Sequence, residues 1–439
     1  MSGIVLGWGP SGVRAAAALG EGALLLDPSG SPGGRAHPEI PEDLGYTSAR
    51  TGEAVERFYG GAPRVPEATR RALWVGGRLV DLPLSRLRLR EILPEGEYLR
   101  SLGDQARARA KVILRHFVGG GAEERTYRDW VVQRYGSLTY ESLHAPYARN
   151  RWGDPGVLNV SLARLHHAAV EEVPRVALGD SPRAGWEALC AGIQSEEGVE
   201  VESLGVKDGR VRQLRTAEGS RDVDALYCAC PVAQVLAWLG DEVEAGLKWD
   251  VSRLPHRHRV QVAFPVIGGE DVTRGLPEEI HVVHADAPFF RLTRPEALPG
   301  AGDLAGWLVA HLSMGPSDRR WSLSDTDLCN VVAEGLASLG LHVFVGEGRV
   351  ERFRAYDPGW VGPWHPVQIR VLAALEALGI TMVGRVGGYR WLDPGQELAV
   401  GMALGSEEAS HPREIFRVLA DPPVRALDED TSLDAFVTG

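Results

Sequence analysis

Gly7, Gly9 and Gly12 recur as G-x-G-x-x-G, with Trp8, Pro10 and Ser11 filling the pattern. Glycines at this spacing suit phosphate chemistry. The first permits a tight turn, the second lets backbone approach a pyrophosphate, and the third lets a helix pack closely on a strand. The free N–H groups at that helix start then face the anion. Asp27 follows Gly7 by about 20 residues, where a carboxylate accepts hydrogen bonds from a ribose diol. The flanking residues supply the required elements: Ile4-Val5-Leu6 reads as a buried strand, Val13 to Leu19 as an alanine-rich helix, and Ala23 to Leu26 as a second strand ending at Asp27. Strand, glycine turn, helix, strand and acid together predict a dinucleotide site. A similar turn that packs without ligand is the alternative.

After Asp27 the chain runs Pro28-Ser29-Gly30-Ser31-Pro32-Gly33-Gly34-Arg35. An acid followed by G-G-R resembles the FAD-dependent superfamily of amine oxidases, protoporphyrinogen oxidases, phytoene desaturases and UDP-galactopyranose mutases. The resemblance implies FAD, with Gly34 letting the chain run against the diphosphate and Arg35 helping to neutralise it. Further segments follow in the family's order. Glu42-Asp43-Leu44-Gly45-Tyr46 matches its D-L-G strand. Leu73 to Leu84 reads as a hairpin about Gly76-Gly77. Ala145-Pro146-Tyr147-Ala148-Arg149-Asn150-Arg151-Trp152-Gly153 is similar to its P-Y-x-x-K-x-W-G stretch, with Asn150 in place of the lysine. Val206 matches the valine that packs under adenine. Near the C-terminus, Gly384-Arg385-Val386-Gly387-Gly388-Tyr389 and Asp393 to Met402 resemble the closing G-R-x-G…Y-x-D-x-x-Q-A…G motif. That likeness implies that Gly384, Arg385, Gln396, Glu397 and Leu398 lie near the flavin, whose reduced ring helix N–H donors would stabilise.

The resemblance implies an α/β fold: a discontinuous Rossmann-type FAD-binding domain (1–84, 182–246 and 350–439) and an α+β substrate domain (85–181 and 247–349) with an antiparallel sheet. Val260 to Phe264 and Ile280 to His284 alternate as strands that would floor a substrate pocket. The resemblance makes His284, Arg291 and His365 the expected catalytic residues, His284 and Arg291 on the substrate side and His365 reaching the flavin face, although a strand histidine is more often a satisfied structural group. The arginine-rich stretch from Arg86 to Arg115 reads as a solvated helix face, with an anionic-substrate site or a membrane-surface contact as alternatives. The expected activity is oxidation of a small molecule by hydride transfer to flavin, without a dedicated NAD(P)H domain. The alternatives are a mutase-like non-redox flavoenzyme on a sugar nucleotide, against which Thr47 stands where that family has histidine, and a non-catalytic partner protein.

Composition bounds these readings. The 439 residues allow two or three domains, and 44% hydrophobic content excludes wholesale disorder. The formal charge of −12 argues against a nucleic-acid partner. Cys190, Cys228, Cys230 and Cys329 lack the second close pair of a zinc site and read as reduced core residues. No basic leader or long apolar run is present, so a cytoplasmic protein without integral membrane contact is expected. A homodimer stays open.

Overall fold

The computed structural model describes residues 3–20, 22–28, 70–82, 90, 92–93, 95–118, 125–163, 190–284, 286–295, 304–392, 397 and 400. Strand β1 (Gly3–Leu6) is buried along its whole length, as its apolar run requires of a central parallel strand. Helix α1 (Pro10–Leu19) starts on a proline, whose fixed φ and missing N–H suit the first helical position, and leads into β2 (Ala23–Asp27). β2 pairs parallel with β1, residue for residue from Gly3 opposite Ala23 to Leu6 opposite Leu26. Three later strands complete this sheet: β5 (Gln194–Glu197), β9 (Ala225–Cys228) and β15 (Ile380–Met382), in the order β15-β9-β1-β2-β5. The chain leaves β1 towards β2 and meets β9 on the other side, so β1 and β9 flank the switch point at whose carboxyl ends open α/β sheets form a ligand crevice. This is the expected Rossmann-type half. A separate antiparallel sheet of β6 (Val201–Lys207), β7 (Arg210–Thr216) and β8 (Gly219–Asp222) packs into the same core.

The second sheet has seven strands, β3 (Arg71–Val75), β4 (Arg78–Asp81), β10 (His256–Pro265), β11 (Glu279–Val283), β12 (Arg291–Thr293), β13 (Trp307–Met314) and β14 (Arg349–Pro358). Their order is β14-β10-β13-β12-β11-β3-β4. Pairing is antiparallel except for β3 beside β11, which run parallel. The expected hairpin forms around Gly76 and Gly77, and it and β14 hydrogen-bond into this sheet rather than the parallel one. Side chains alternate across a strand, so register sorts them into two faces. Val262, Ala310, Leu292, Ile280 and Ala72 form one cross-strand row. With Phe264, Leu312 and Met314 that face packs on Leu328, Val332 and Leu336, which belong to the helix Asp325–Ser338. The adjacent row on the opposite face is Gln261, His311, Arg291, His281 and Leu73.

Helices cover that polar face. Glu95–Val118 is α2 and Tyr127–Thr139 is α3; after a π-helical turn at Tyr140–His144 the chain continues as α4 (Ala145–Trp152). Thr126 caps α3 reciprocally with Asp129, which satisfies two otherwise open N–H groups. Tyr147, Ala148 and Trp152 of α4 pack with Leu73, Val283 and Phe290 of the sheet. No helix among the described residues is long and apolar enough to cross a membrane.

Leu312 is wholly buried in the apolar face, whereas Trp249 is 67% exposed. Leu312→Ala is expected to lower unfolding free energy by about 2–5 kcal/mol, and Trp249→Ala to change it by no more than about 0.5 kcal/mol. Urea unfolding of both variants checks this. Equal effects would mean that the face does not carry the core.

Candidate functional site

The turn after β1 is tight. Gly7 adopts φ +101 and its amide donates to the Leu26 carbonyl at 2.9 Å. A Cβ on Gly12 would collide with the Gly7 carbonyl, so the third glycine is demanded by the close approach of helix to turn. A Cβ on Gly9 would meet nothing within 4 Å, so open space lies beside the cap of α1. No acid occupies the first turn of α1. Its early N–H groups lack intrahelical acceptors, and the helix dipole adds positive potential there. Asp27 closes β2 with its side chain wholly buried. Small backbone, positive potential and a buried carboxylate fit a dinucleotide at this crevice.

The closing segment meets this turn. Val383 donates its amide to the Cys228 carbonyl at 2.8 Å, extending the β15 to β9 pairing by one residue. The chain then turns at Gly384, with φ +77 and a Cβ position only 2.6 Å from Ser11 Oγ. Ser11 Oγ itself donates to the Glu397 carbonyl at 3.1 Å, joining residues 386 apart in sequence. Gly387 lies so close to β9 that a Cβ would sit 2.5 Å from the Cys228 carbonyl. Gly7, Gly9, Ser11, Gly12, Gly384 and Glu397 thus gather around one contact. Gly34, Arg35, Gln396 and Leu398 lie outside the described residues. Val206 is half-buried on β6 and packs against the core that includes Leu6, Leu26 and Cys228.

Arg385 is buried and held on several sides. Its guanidinium donates to the Leu392 carbonyl at 2.6 Å and the Tyr356 carbonyl at 3.3 Å, stacks 4.2 Å above the Trp391 ring and pairs with Asp357. The other carboxylate oxygen of Asp357 accepts from Arg259 at 3.0 Å. Asp357 therefore ties the closing segment to β10. Nearby, His256 Nε2 donates to the Val386 carbonyl at 3.1 Å, and burial pulls the His256 pKa down to about 4, so the ring stays neutral. Cys228 and Cys230 are buried, with burial pushing the Cys230 thiol up to about 12. No metal-binding cluster of histidine, cysteine or acidic side chains occurs among the described residues.

On the polar face of the second sheet a single chain of donors runs through buried side chains. Arg151 Nη1 donates to Tyr147 Oη at 2.7 Å, and Tyr147 Oη lies 2.9 Å from His281 Nδ1. His281 Nε2 lies 3.2 Å from a Glu279 oxygen, which also pairs with Arg291 at 3.3 Å. Arg291 reaches His311 Nδ1 at 3.4 Å, and His311 Nε2 meets Thr293 Oγ1 at 2.8 Å. Burial, then the neighbouring Arg291 and Arg259, hold His311 well below the usual imidazole range. Neutral rings satisfy every link. Nδ1 of His281 accepts from the tyrosine while its Nε2–H donates to the carboxylate, and His311 accepts from Arg291 and donates to the threonine.

Of the three expected catalytic residues, Arg291 joins this network. His284 sits in the loop after β11, its Nδ1 accepting from the Asp286 amide at 3.3 Å. His365 is exposed beside Trp364 at the start of the helix Trp364–Ala377, its ring nearly perpendicular to that indole. Asn150, which replaces the family lysine, donates to the His284 and Ala287 carbonyls at 3.1 and 3.2 Å and so fastens α4 to the loop. Tyr147, Arg259, Gln261, Glu279, His281, His311 and Asp357 did not stand out as single residues. The alternation in Glu279-Ile280-His281-Val282 and Gln261-Val262-Ala263 was the available signal, because every second position there is polar or small.

Solved structures share this architecture. A reduced UDP-galactopyranose mutase matches with a TM-score of 0.72 and 14% identity over 97% of this chain and 98% of its own. A protein from Exiguobacterium sp. 255-15 assigned to the protoporphyrinogen oxidases matches at 0.69 and 16%, over 95% and 98%. Cyclohexylamine oxidase from Brevibacterium oxydans IH-35A matches at 0.58 and 13%, over 95% and 99%. No protein-family model and no curated protein sequence matches the chain. At these identities the likeness establishes the fold, and it is the fold of the superfamily that the sequence motifs resemble.

Because His256 binds its proton only near pH 4 when folded but near 6.5 when unfolded, the unfolded state takes up more protons as pH falls through that window. Stability present at pH 7 is therefore lost towards pH 5, by about 2 kcal/mol for one such histidine. His256→Gln is expected to flatten this part of the profile, measured as urea midpoints at pH 7 and pH 5. An unchanged profile would contradict the buried neutral ring.

Proposed function

We propose that the protein is an FAD-dependent flavoenzyme that oxidises a small molecule by hydride transfer. The observation that carries this reading is the contact between the glycine turn and the closing segment, made by Ser11, Gly384 and the Glu397 carbonyl. The two motifs that resemble the cofactor-binding ends of one superfamily are separated by nearly the whole chain and meet in the fold. In this reading the turn at Gly7, Gly9 and Gly12 and the start of α1 hold the diphosphate. Asp27 accepts hydrogen bonds from the ribose and Val206 lies under the adenine, and the family resemblance assigns Gly34 and Arg35 to the diphosphate. Gly384, Arg385, Gln396, Glu397 and Leu398 lie at the flavin end. When bound, FAD supplies a two-electron acceptor for hydride.

The remaining roles belong to this chain's own residues. The polar face of the seven-stranded sheet receives the substrate, with Arg291 on its central row and His284 in the loop after β11; His365 stands apart, on the helix that packs against the core of the parallel sheet. Arg151, Tyr147, His281 and Glu279 form an ordered donor chain in which Glu279 fixes the His281 tautomer. Helix α4 covers the face and excludes water, which positions a substrate without a dedicated acid or base. The match to a UDP-galactopyranose mutase over 97% of the chain supports a second reading, rearrangement of a sugar nucleotide without net electron transfer. The two differ in turnover. The redox reading consumes one electron acceptor per product, and the mutase reading consumes none and works only with reduced cofactor.

Gly9→Val fills the open space beside the α1 cap and is expected to abolish flavin retention while leaving the far-ultraviolet circular dichroism unchanged. Gly384→Ala drives a methyl towards Ser11 Oγ and is expected to weaken retention as well. Flavin per protein, read from visible absorption after desalting, checks both. A folded Gly9→Val protein with full flavin would overturn the phosphate-turn assignment.

A further inference from the structure

Positive charge gathers where α4 ends over the polar face of the second sheet. Arg151 and Arg259 approach the Phe290 ring at 5.0 and 4.9 Å, so their guanidinium carbons lie no more than about 10 Å apart. Arg257 reaches the same end of α4, its Nη1 only 3.1 Å from where a Cβ on Gly153 would stand, and the Arg259 charge acts on it. The carboxylates of this region are already engaged: Glu279 serves Arg291 and His281, Asp357 serves Arg259 and Arg385, and Asp318, whose charge also reaches Arg257, pairs with Arg320. Among the described residues, Arg257 donates to neutral partners, the hydroxyl and carbonyl of Ser313 at 2.8 and 2.9 Å. Arg151 donates to the Tyr147 hydroxyl and stacks on aromatic rings. Neither meets a carboxylate within ion-pair distance there. Burial draws the Arg257 pKa down to about 10, against the opposing pull of the Asp357 and Asp318 charges, neither of which forms an ion pair with it. On the same face, Gln261 is wholly buried, and neither its amide oxygen nor its nitrogen has a hydrogen-bond partner among the described residues.

A buried amide with both groups unsatisfied is destabilising, and buried guanidinium groups that form no ion pair are more so. A ligand that bonds them removes that cost. We propose that Arg151 and Arg257 receive an oxyanion, a carboxylate or a phosphate carried by the substrate, and that Gln261 bonds a neutral polar part of the same molecule. This deepens the flavoenzyme reading and rests on it for the word substrate. It also selects among substrates, because the same guanidinium groups repel a protonated amine. Arginine suits the task, since its planar donors match two oxyanion oxygens at once.

The test uses the protein as purified, with flavin content recorded first from visible absorption. UDP, decanoate and cyclohexylamine are titrated separately by calorimetry at low and at raised sodium chloride. The expected result is binding of UDP or decanoate that weakens as salt rises, with no binding of the amine. UDP alone assigns a phosphate, and decanoate alone assigns a carboxylate. Arg151→Gln and Arg257→Gln are each expected to weaken the binding by about 10-fold or more, the loss of a charge-assisted hydrogen bond, with unchanged flavin content. Arg151→Lys recovers part of the affinity and guards against a folding defect. Absence of both anions' binding, affinity indifferent to both variants, or preference for the amine would overturn the proposal. Flavin present without anion binding sinks this inference alone, whereas arginine-dependent anion binding by a protein that takes no flavin sinks the flavoenzyme reading and keeps the anion site.

Discussion

The architecture turns on one close approach. The Gly7 carbonyl, the start of α1, and the segment from Gly384 to Gly387 crowd together beyond the carboxyl ends of β1 and β9, at distances where a Cβ on Gly12, Gly384 or Gly387 would not fit. Ser11 Oγ then fastens the carbonyl of Glu397 to the same point. Interiors are packed as tightly as crystals, so such contacts cannot give by much. The constraint fixes where the last strand of the parallel sheet delivers the closing segment, and with it the position of Arg385 against Asp357.

Asp357 extends the consequence to the second sheet. Its two oxygens serve Arg385 and Arg259, so the buried carboxylate is a joint between the closing segment and β10. The Tyr389 hydroxyl adds two further links, to the Pro255 and Gly359 carbonyls at 3.0 and 2.7 Å. Pairing two guanidinium groups with one acid is costly to break, because removal of the acid leaves two buried cations. Beyond this joint the sheet separates its functions by alternation, with an apolar face that supports the helix Asp325–Ser338 and a polar face beneath α4.

The local parts of this account were legible in the sequence. The β1 to β2 unit follows from contiguous apolar runs around three glycines, and the hairpin at Gly76 from two apolar runs about a turn. Long-range pairing was not legible. Nothing local says that β3 runs parallel beside β11 or that β14 joins β10, because strand partners are chosen by tertiary packing. The site shows the same division. Arg291 was found through a motif, whereas His281, His311 and Gln261 share a row only once the register of β10, β13, β12 and β11 is known. Asn150 shows the limit of resemblance: as a departure from a motif its role was blank, and the structure gives it one as the clamp on the His284 and Ala287 carbonyls.

The central claim is that the crevice between β1 and β9 holds FAD. The most direct measurement is the visible absorption spectrum of the purified protein, followed by denaturation and mass identification of the released chromophore. Flavin bands and released FAD at about one per chain are the expected result. A colourless protein that also fails to take up added FAD would contradict it, and would mean that the turn and the closing segment meet for packing alone.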